Sequence, residues 1–171
     1  MAEQMKTALP GLIETLAWQF GFARDTTIRL LGEFDEETAR WRPPPHNNNL
    51  HWLAGHLLTC GDDFRKLLGF PARQGGPVVH PDLGFGGYYD ESKEYAPFTE
   101  FAAALAGERD ELLGLIRGMT PADLARPTEG ELASFCPRHV ELVSLWISHE
   151  NTHNGQMYFL RRGLGKEPLI K

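Results

Sequence analysis

The 171-residue sequence lacks the long apolar runs and basic clusters that mark two specialised classes of protein. No apolar run approaches the roughly 18–20 residues that a membrane-spanning helix needs, so we expect no membrane partner. The densest group of basic residues is the pair Arg161 and Arg162, and the formal net charge is −6. Because binding to nucleic-acid phosphates requires clustered Lys and Arg, we expect no nucleic-acid partner.

Cysteine is also scarce, since Cys60 and Cys136 are the only two in the chain. Residues 1–6 do not show the basic-then-apolar pattern of a secretory signal. Two cysteines without such a signal favour reduced thiols, and we expect a cytoplasmic protein. The length and the ordinary share of hydrophobic residues, 42%, predict one domain over residues 1–171.

No convincing strand pattern is present, and apolar residues instead recur at three- and four-residue steps. This spacing predicts four helices, at about residues 10–34, 50–68, 98–118 and 137–162, with Asn49 as the N-cap of the second. Residues 120–123 predict one short extra turn. The predicted fold is an all-α four-helix bundle. Three tryptophans at helical spacing are predicted to lie in its core: Trp18, Trp52 and Trp146.

A long connection rich in glycine and proline, residues 69–97, joins the second predicted helix to the third. The chain before the second helix is broken by the prolines at 43–45, which a helix does not tolerate in its interior. Loops as long as the one at 69–97 are uncommon and often functional, although a simple surface crossover has the same composition. Both interpretations remain open for this crossover loop.

Histidines occupy inward positions of two predicted helices. His149 and His153 lie four residues apart on the apolar stripe of the last helix, and residues at this spacing are neighbours on one helical face. His56 takes an inward position of the second helix, between Leu53 and Cys60. Three neutral imidazoles that leave a position for water are typical of a catalytic zinc site. We therefore predict that His56, His149 and His153 bind a divalent metal ion.

Four polar residues near these positions have two interpretations each. Glu150, one step off the inward stripe, would act as a base or support a ligand, or would be solvated. Gln156 would fix the tautomer of a ligand histidine or cap a buried polar layer. Cys60 would be a fourth ligand or a small buried hydrophobic residue. Arg109 would hold an anionic substrate or form a salt bridge. The other histidines are predicted to be loop or helix-end residues: His46, His51, His80 and His139.

The segments Trp52-Leu53-Ala54-Gly55-His56-Leu57 and His149-x-x-x-His153-x-Gly155-Gln156 resemble motifs of the DinB/YfiT-like family of metalloproteins. The order of helices, proline-rich turn and crossover is similar too, over nearly the whole chain. The resemblance implies a four-helix bundle and a divalent metal, zinc, nickel or iron, held here by His56, His149 and His153. It also implies kinship with transferases and isomerases that use low-molecular-weight thiols such as bacillithiol or mycothiol, although many members have no known activity.

Three functions are consistent with these residues. The first is a metal-dependent enzyme that transfers a small thiol to an electrophile, or that hydrolyses a small-molecule substrate with metal-activated water. The second is a non-catalytic metal-binding or structural module that forms a homodimer, in which the ion ties the second helix to the last. The third is a metallopeptidase, because His149-Glu150-x-x-His153 matches the zinc-protease motif. Residues 154–171 contain no histidine to complete that motif downstream.

Overall fold

The computed structural model describes residues 11–43 and 48–169, which form helices and no β-strand. Six α-helices are present in this part: α1 Leu12–Leu31, α2 Leu50–Leu68, α3 Phe98–Gly107, α4 Arg109–Arg117, α5 Pro121–Ala125 and α6 His139–Gly163. Short 3-10 turns occur at Thr38–Arg40, Pro81–Leu83 and Glu131–Ser134. None of these helices combines the length and the apolar character needed to cross a bilayer.

The long helices pack as a bundle. Helix α1 lies against α6, α3 and α4, and α2 lies against α3 and α6. The predicted all-α bundle is confirmed, with α3 and α4 together forming the third of its four rods. Because α2 and α6 are neighbours, the helices that carry the predicted metal ligands face each other across the core.

The third predicted helix is broken at Glu108, which separates α3 from α4. Gly107 precedes the break, and glycine is a weak helix former. The Glu108 side chain is buried and makes ion pairs with Arg24 and Arg65. Arg24 and Arg65 are far from Glu108 in the chain, so the spacing of apolar residues gives no indication of these pairs. The same spacing did not predict the break at Glu108.

The predicted helix boundaries hold where a cap defines them. The Asn49 side chain accepts a hydrogen bond of 2.8 Å from the Trp52 backbone N–H, which confirms it as the N-cap of α2. Helix α2 ends at Leu68 and is followed by Gly69, whose φ of 72° lies in the left-handed region that favours glycine. The predicted extra turn is α5, which Thr120 and Asp123 cap reciprocally. The predictions for Pro10, His46 and the prolines at 44 and 45 lie outside the described residues.

The tryptophan predictions succeed for two residues and fail for one. Trp52 and Trp146 are buried in the core. Trp18 is 66% exposed and stacks on Phe22 at the surface, with ring centroids 5.8 Å apart. Helix α1 instead turns Leu16 and Phe20 towards the bundle. The core prediction for Trp18 is therefore wrong, because its position on α1 lies outside the face that the neighbouring helices cover.

The connection between α2 and α3 packs against α2 at Gly55. A Cβ atom added at Gly55 would lie only 2.7 Å from Leu83 Cδ1 and 3.1 Å from Phe101 Cε2, so glycine allows this close approach. Trp52 Nε1 donates a hydrogen bond of 3.2 Å to the Asp82 carbonyl. These contacts bring the backbone around Leu83 to the histidine-bearing face of α2.

Candidate metal centre

The three predicted histidines form one cluster between α2 and α6. The Nε2 atom of His149 lies 3.0 Å from His56 Nε2 and 3.1 Å from His153 Nε2. The three ring centroids are 4.5 to 5.0 Å apart. The structure therefore brings together residues that the sequence separates by up to 97 positions, and we call them the histidine cluster. Their role as metal ligands stays a prediction.

Neighbouring acceptors orient two of the three rings. His56 Nδ1 lies 2.7 Å from the Leu83 carbonyl oxygen, which accepts hydrogen bonds and cannot donate them. His153 Nδ1 lies 2.9 Å from Gln156 Oε1. In both cases the proton belongs on Nδ1, so the Nε2 lone pair points into the cluster. Gln156 thus makes the contact expected of a residue that fixes a tautomer.

His149 is held by its surroundings in a different way. Its ring lies 5.2 Å from the Phe85 ring and 6.1 Å from the Phe64 ring. Its Nδ1 atom is buried and has no hydrogen-bond partner in the described part of the chain. The His56 ring is in turn stacked on Trp52, with centroids 4.3 Å apart. Aromatic rings therefore restrict how the cluster can rearrange.

The electrostatics of the cluster keep the imidazoles neutral at pH 7. Burial, reinforced by the charge of His153, lowers the pKa of His56 to about 4. Burial, with His153 and His56 nearby, lowers the pKa of His149 to about 3. Burial also lowers the pKa of His153, against the opposing effect of the hydrogen bond that its Nδ1–H donates to Gln156 Oε1. Neutral imidazoles with converging lone pairs are the form that binds a metal, so this donor set fits a divalent cation.

Cys60 lies beside the cluster, fully buried. Its Sγ atom is 3.6 Å from His56 Nδ1 and 3.7 Å from His56 Nε2. His56, Cys60 and His149 offer ligand atoms that all lie within 4.8 Å of one another. Burial and the charge of Asp63 raise the pKa of the Cys60 thiol. The sequence carried a signal for this group, because His56 and Cys60 have the same four-residue spacing as His149 and His153.

Glu150 points away from solvent and into an ion pair with Arg24. Both residues are 0% exposed. Arg24 Nε and Nη2 donate to the two Glu150 carboxylate oxygens at 2.6 and 3.0 Å, and the Thr27 hydroxyl donates at 2.8 Å. The interpretation of Glu150 as a solvated residue is therefore wrong. Both of its carboxylate oxygens accept hydrogen bonds from these partners, and its role as a base or as support for a ligand stays a prediction.

The Arg24–Glu150 pair belongs to a larger buried network. Arg24 Nη1 also donates to Glu108 Oε1 at 2.7 Å and to the Leu105 carbonyl at 3.1 Å. Burial opposes the charge of Arg24, but attraction to Glu150 and Glu108 outweighs it and raises the Arg24 pKa. Arg24 is not among the residues predicted from the sequence. Its inward position was indicated by helical spacing, because it lies four residues after Phe20 and three before Thr27 on α1.

The remaining candidates lie outside the histidine cluster. Arg109 pairs with Asp25 and Asp110 at the surface, which confirms the salt-bridge interpretation. The other described histidines occupy the beginnings of helices or turns: His51 in the first turn of α2, His80 before Pro81–Leu83 and His139 as the first residue of α6. His51 and His139 are nevertheless buried.

Comparison with known families agrees with this arrangement. The family model of the DinB superfamily matches residues 19–157, which include α2, the three histidines of the cluster and most of α1 and α6. A comparison with curated proteins found no match. The match covers most of the chain and ends just after Gln156, the residue that orients His153. The chain belongs to the DinB superfamily.

Proposed function

We propose that this protein is a metal-dependent enzyme that transfers a low-molecular-weight thiol to an electrophile, or hydrolyses a small molecule. One observation carries the proposal: two buried imidazoles and one partly buried imidazole direct Nε2 atoms into a single cluster, two of them with the proton held on Nδ1. His56, His149 and His153 would hold the ion. Zinc or nickel suits imidazole ligands best, and iron is the third candidate.

A divalent ion bound there would lower the pKa of a coordinating water or thiol and so provide a nucleophile at neutral pH. The chain's own residues supply the positioning. The Leu83 carbonyl and Gln156 hold the rings of His56 and His153 in one tautomer. Such partners typically change metal affinity or activity by about 10- to 100-fold when they are removed. Burial of the rings also keeps them free of competing protons.

An open groove beside the cluster supports a small-molecule substrate. Its volume is about 350 Å³, and its lining residues are Asp63, Lys66, Leu67, Phe85, Glu131 and Leu132. Phe85 joins the groove to the cluster, since its ring also packs against His149. The lining combines charged Asp63, Lys66 and Glu131 with apolar Leu67, Phe85 and Leu132, so it suits a small molecule with both polar and apolar parts. This volume lies within the usual range for ligand sites.

The peptidase interpretation loses support from Glu150. In that motif the glutamate acts as the general base, whereas here both of its carboxylate oxygens are bonded to Arg24. The described residues also form no strand whose edge could hold an extended peptide.

A non-catalytic metal-binding module is the second candidate. It is favoured by the group His56, Cys60 and His149, because thiolate ligation is common in closed structural zinc sites. The ion would then tie α2 to α6 and contribute directly to folding. The exposed Trp18 and Phe22 stack is a candidate contact in the proposed homodimer. Free Cys60 and Cys136 support the proposed cytoplasmic location for either candidate.

The decisive experiment measures bound metal and turnover in the same preparation. Protein purified without chelators is analysed for metal, and then assayed with a panel of small thiols and an electrophile. We expect about one equivalent of metal in the wild type and a large loss in His149→Ala. His139→Ala is the matched control, since His139 is buried on the same helix outside the cluster. A full equivalent in His149→Ala would refute the site, and metal without turnover would favour the structural candidate.

A further inference from the structure

Cys60 is buried like a small hydrophobic residue, but its sulfur atom also lies beside the ring of a predicted metal ligand. Cys60 follows His56 by one turn of α2, so both side chains lie on the same face. Within the described chain, the polar atoms at hydrogen-bonding distance from its Sγ are the two ring nitrogens of His56. By contrast, the Sγ of Cys136 lies 3.7 Å from the Glu141 carbonyl, and in the described part of the chain it has no hydrogen-bonding contact with a ring of the histidine cluster.

The distances match those of a metal shell. Zinc binds imidazole nitrogen at about 2.0–2.1 Å and thiolate sulfur at about 2.3 Å, so tetrahedral angles place the nitrogen and sulfur roughly 3.6 Å apart and two nitrogens roughly 3.4 Å apart. The observed separations are 3.7 Å from Cys60 Sγ to His56 Nε2 and 3.0 Å from His56 Nε2 to His149 Nε2. Shifts of a few tenths of an ångström would bring these two pairs to ligand geometry, and the ligand atoms of Cys60 and His149 lie within 4.8 Å of each other.

We propose that Cys60 binds the same ion as His56 and His149, so that the centre is mixed imidazole and thiolate. This inference rests on the metal site of the proposed function. On ligation the Sγ–H bond breaks, the proton passes to solvent and the sulfur lone pair forms the bond to the ion, with no oxidation or reduction. With His153 the set would be three histidines and one cysteine, so a substrate would bind as a fifth ligand, an expansion that catalytic zinc sites allow.

The mixed set has a consequence for metal choice. Thiolate ligands favour thiophilic ions such as zinc over manganese, which prefers oxygen donors. Replacement of Cys60 should therefore weaken zinc binding by at least about tenfold. Residues that only hydrogen-bond to a metal ligand already change affinity by about 10- to 100-fold when they are removed, and a direct ligand should matter at least as much. Manganese affinity should change much less.

Cobalt(II) spectroscopy tests the proposal directly. Metal-free wild type, Cys60→Ser, Cys60→Ala and Cys136→Ser are each loaded with one equivalent of Co²⁺, and circular dichroism verifies that each is folded. Thiolate bound to cobalt gives an intense charge-transfer band in the near ultraviolet, which imidazole ligands do not. We expect this band in the wild type and in Cys136→Ser, the matched control. Both Cys60 variants should lose the band while they keep the visible ligand-field bands of bound cobalt.

The outcomes separate this inference from the proposed function. Stoichiometric cobalt in the wild type without the near-ultraviolet band would overturn the role of Cys60 and leave the histidine site intact. Failure of the folded wild type to bind cobalt would overturn both. A band that persists in Cys60→Ser and Cys60→Ala would also overturn the assignment, because the sulfur would then come from another residue.

Discussion

Replacement of Glu150 by alanine should destabilise the protein by about 3 kcal/mol or more, since removal of one partner of a buried ion pair typically costs about 3–5 kcal/mol. The structure places the expected value at the lower end. Arg24 would lose the two hydrogen bonds of 2.6 and 3.0 Å to Glu150. It would keep Glu108 at 2.7 Å and the Leu105 carbonyl at 3.1 Å, so its charge would remain partly compensated.

Denaturant unfolding of the metal-free protein at pH 7, followed by circular dichroism, measures this loss. Asp25→Ala is the matched control, because Asp25 pairs with Arg109 through bonds of 2.8 Å that are equally short but partly exposed. Exposed pairs contribute less than about 1 kcal/mol, so this variant should unfold close to the wild type. The double variant Arg24→Met with Glu150→Leu should recover little of the lost stability, because it also takes the 2.7 Å partner from buried Glu108 and leaves that carboxylate only Arg65 at 3.4 Å.

If Glu150→Ala unfolds at the same denaturant concentration as Asp25→Ala, the predicted stabilisation by the buried Arg24–Glu150 pair is wrong. The Arg24–Glu150 pair would then contribute little to stability, and a role for Glu150 as a general base would gain support. In that case metal-loaded Glu150→Ala should also lose any peptidase activity that the wild type shows on a casein-type substrate. The ion-pair account instead expects that no such activity exists in the wild type.

Two further predictions concern protons and packing. The folded-state pKa values of His56, about 4, and His149, about 3, lie below the ordinary value of 6.5. Below pH 6.5 the unfolded chain therefore binds more protons than the folded protein. The thermal unfolding midpoint of the metal-free protein should decrease as the pH is lowered from 7 to 4. A midpoint that does not change over this range would contradict the lowered pKa values of these rings. Gly55→Ala should lower the free energy of unfolding by about 1–3 kcal/mol, because the added methyl group would overpack against Leu83. Gly114 has open space around it, so Gly114→Ala should raise the free energy of unfolding by up to about 1 kcal/mol in the same assay.

Local chemistry made much of the helical architecture predictable. The apolar spacing located every long helix, and the side-chain chemistry of Asn49 and Thr120 located two helix starts. Four-residue spacing put His149 and His153 on one face, because neighbours on a helix are fixed by its 3.6-residue period. The same period could not tell that Trp18 lies outside the packed face of α1, since that depends on where the other helices sit.

Long-range pairing is the part that local patterns could not provide. Buried Glu108 and Glu150 both pair with Arg24, which is 84 and 126 residues away in the chain. The hydrogen bond from His56 to the Leu83 carbonyl likewise depends on how residues 69–97 return to α2. Each of these contacts decides a protonation state or an orientation, yet none leaves a periodic signal.

The sequence by itself determined that the chain is helical and that three histidines face inward, because backbone hydrogen bonding and hydrophobic burial impose a regular period on the side chains. Only the tertiary structure decided that these imidazoles meet, that Cys60 lies among them and that Glu150 is held by Arg24. Those outcomes depend on the packing of α2 against α6 and α1 against α6, where residues far apart in the chain satisfy one another's charges and lone pairs.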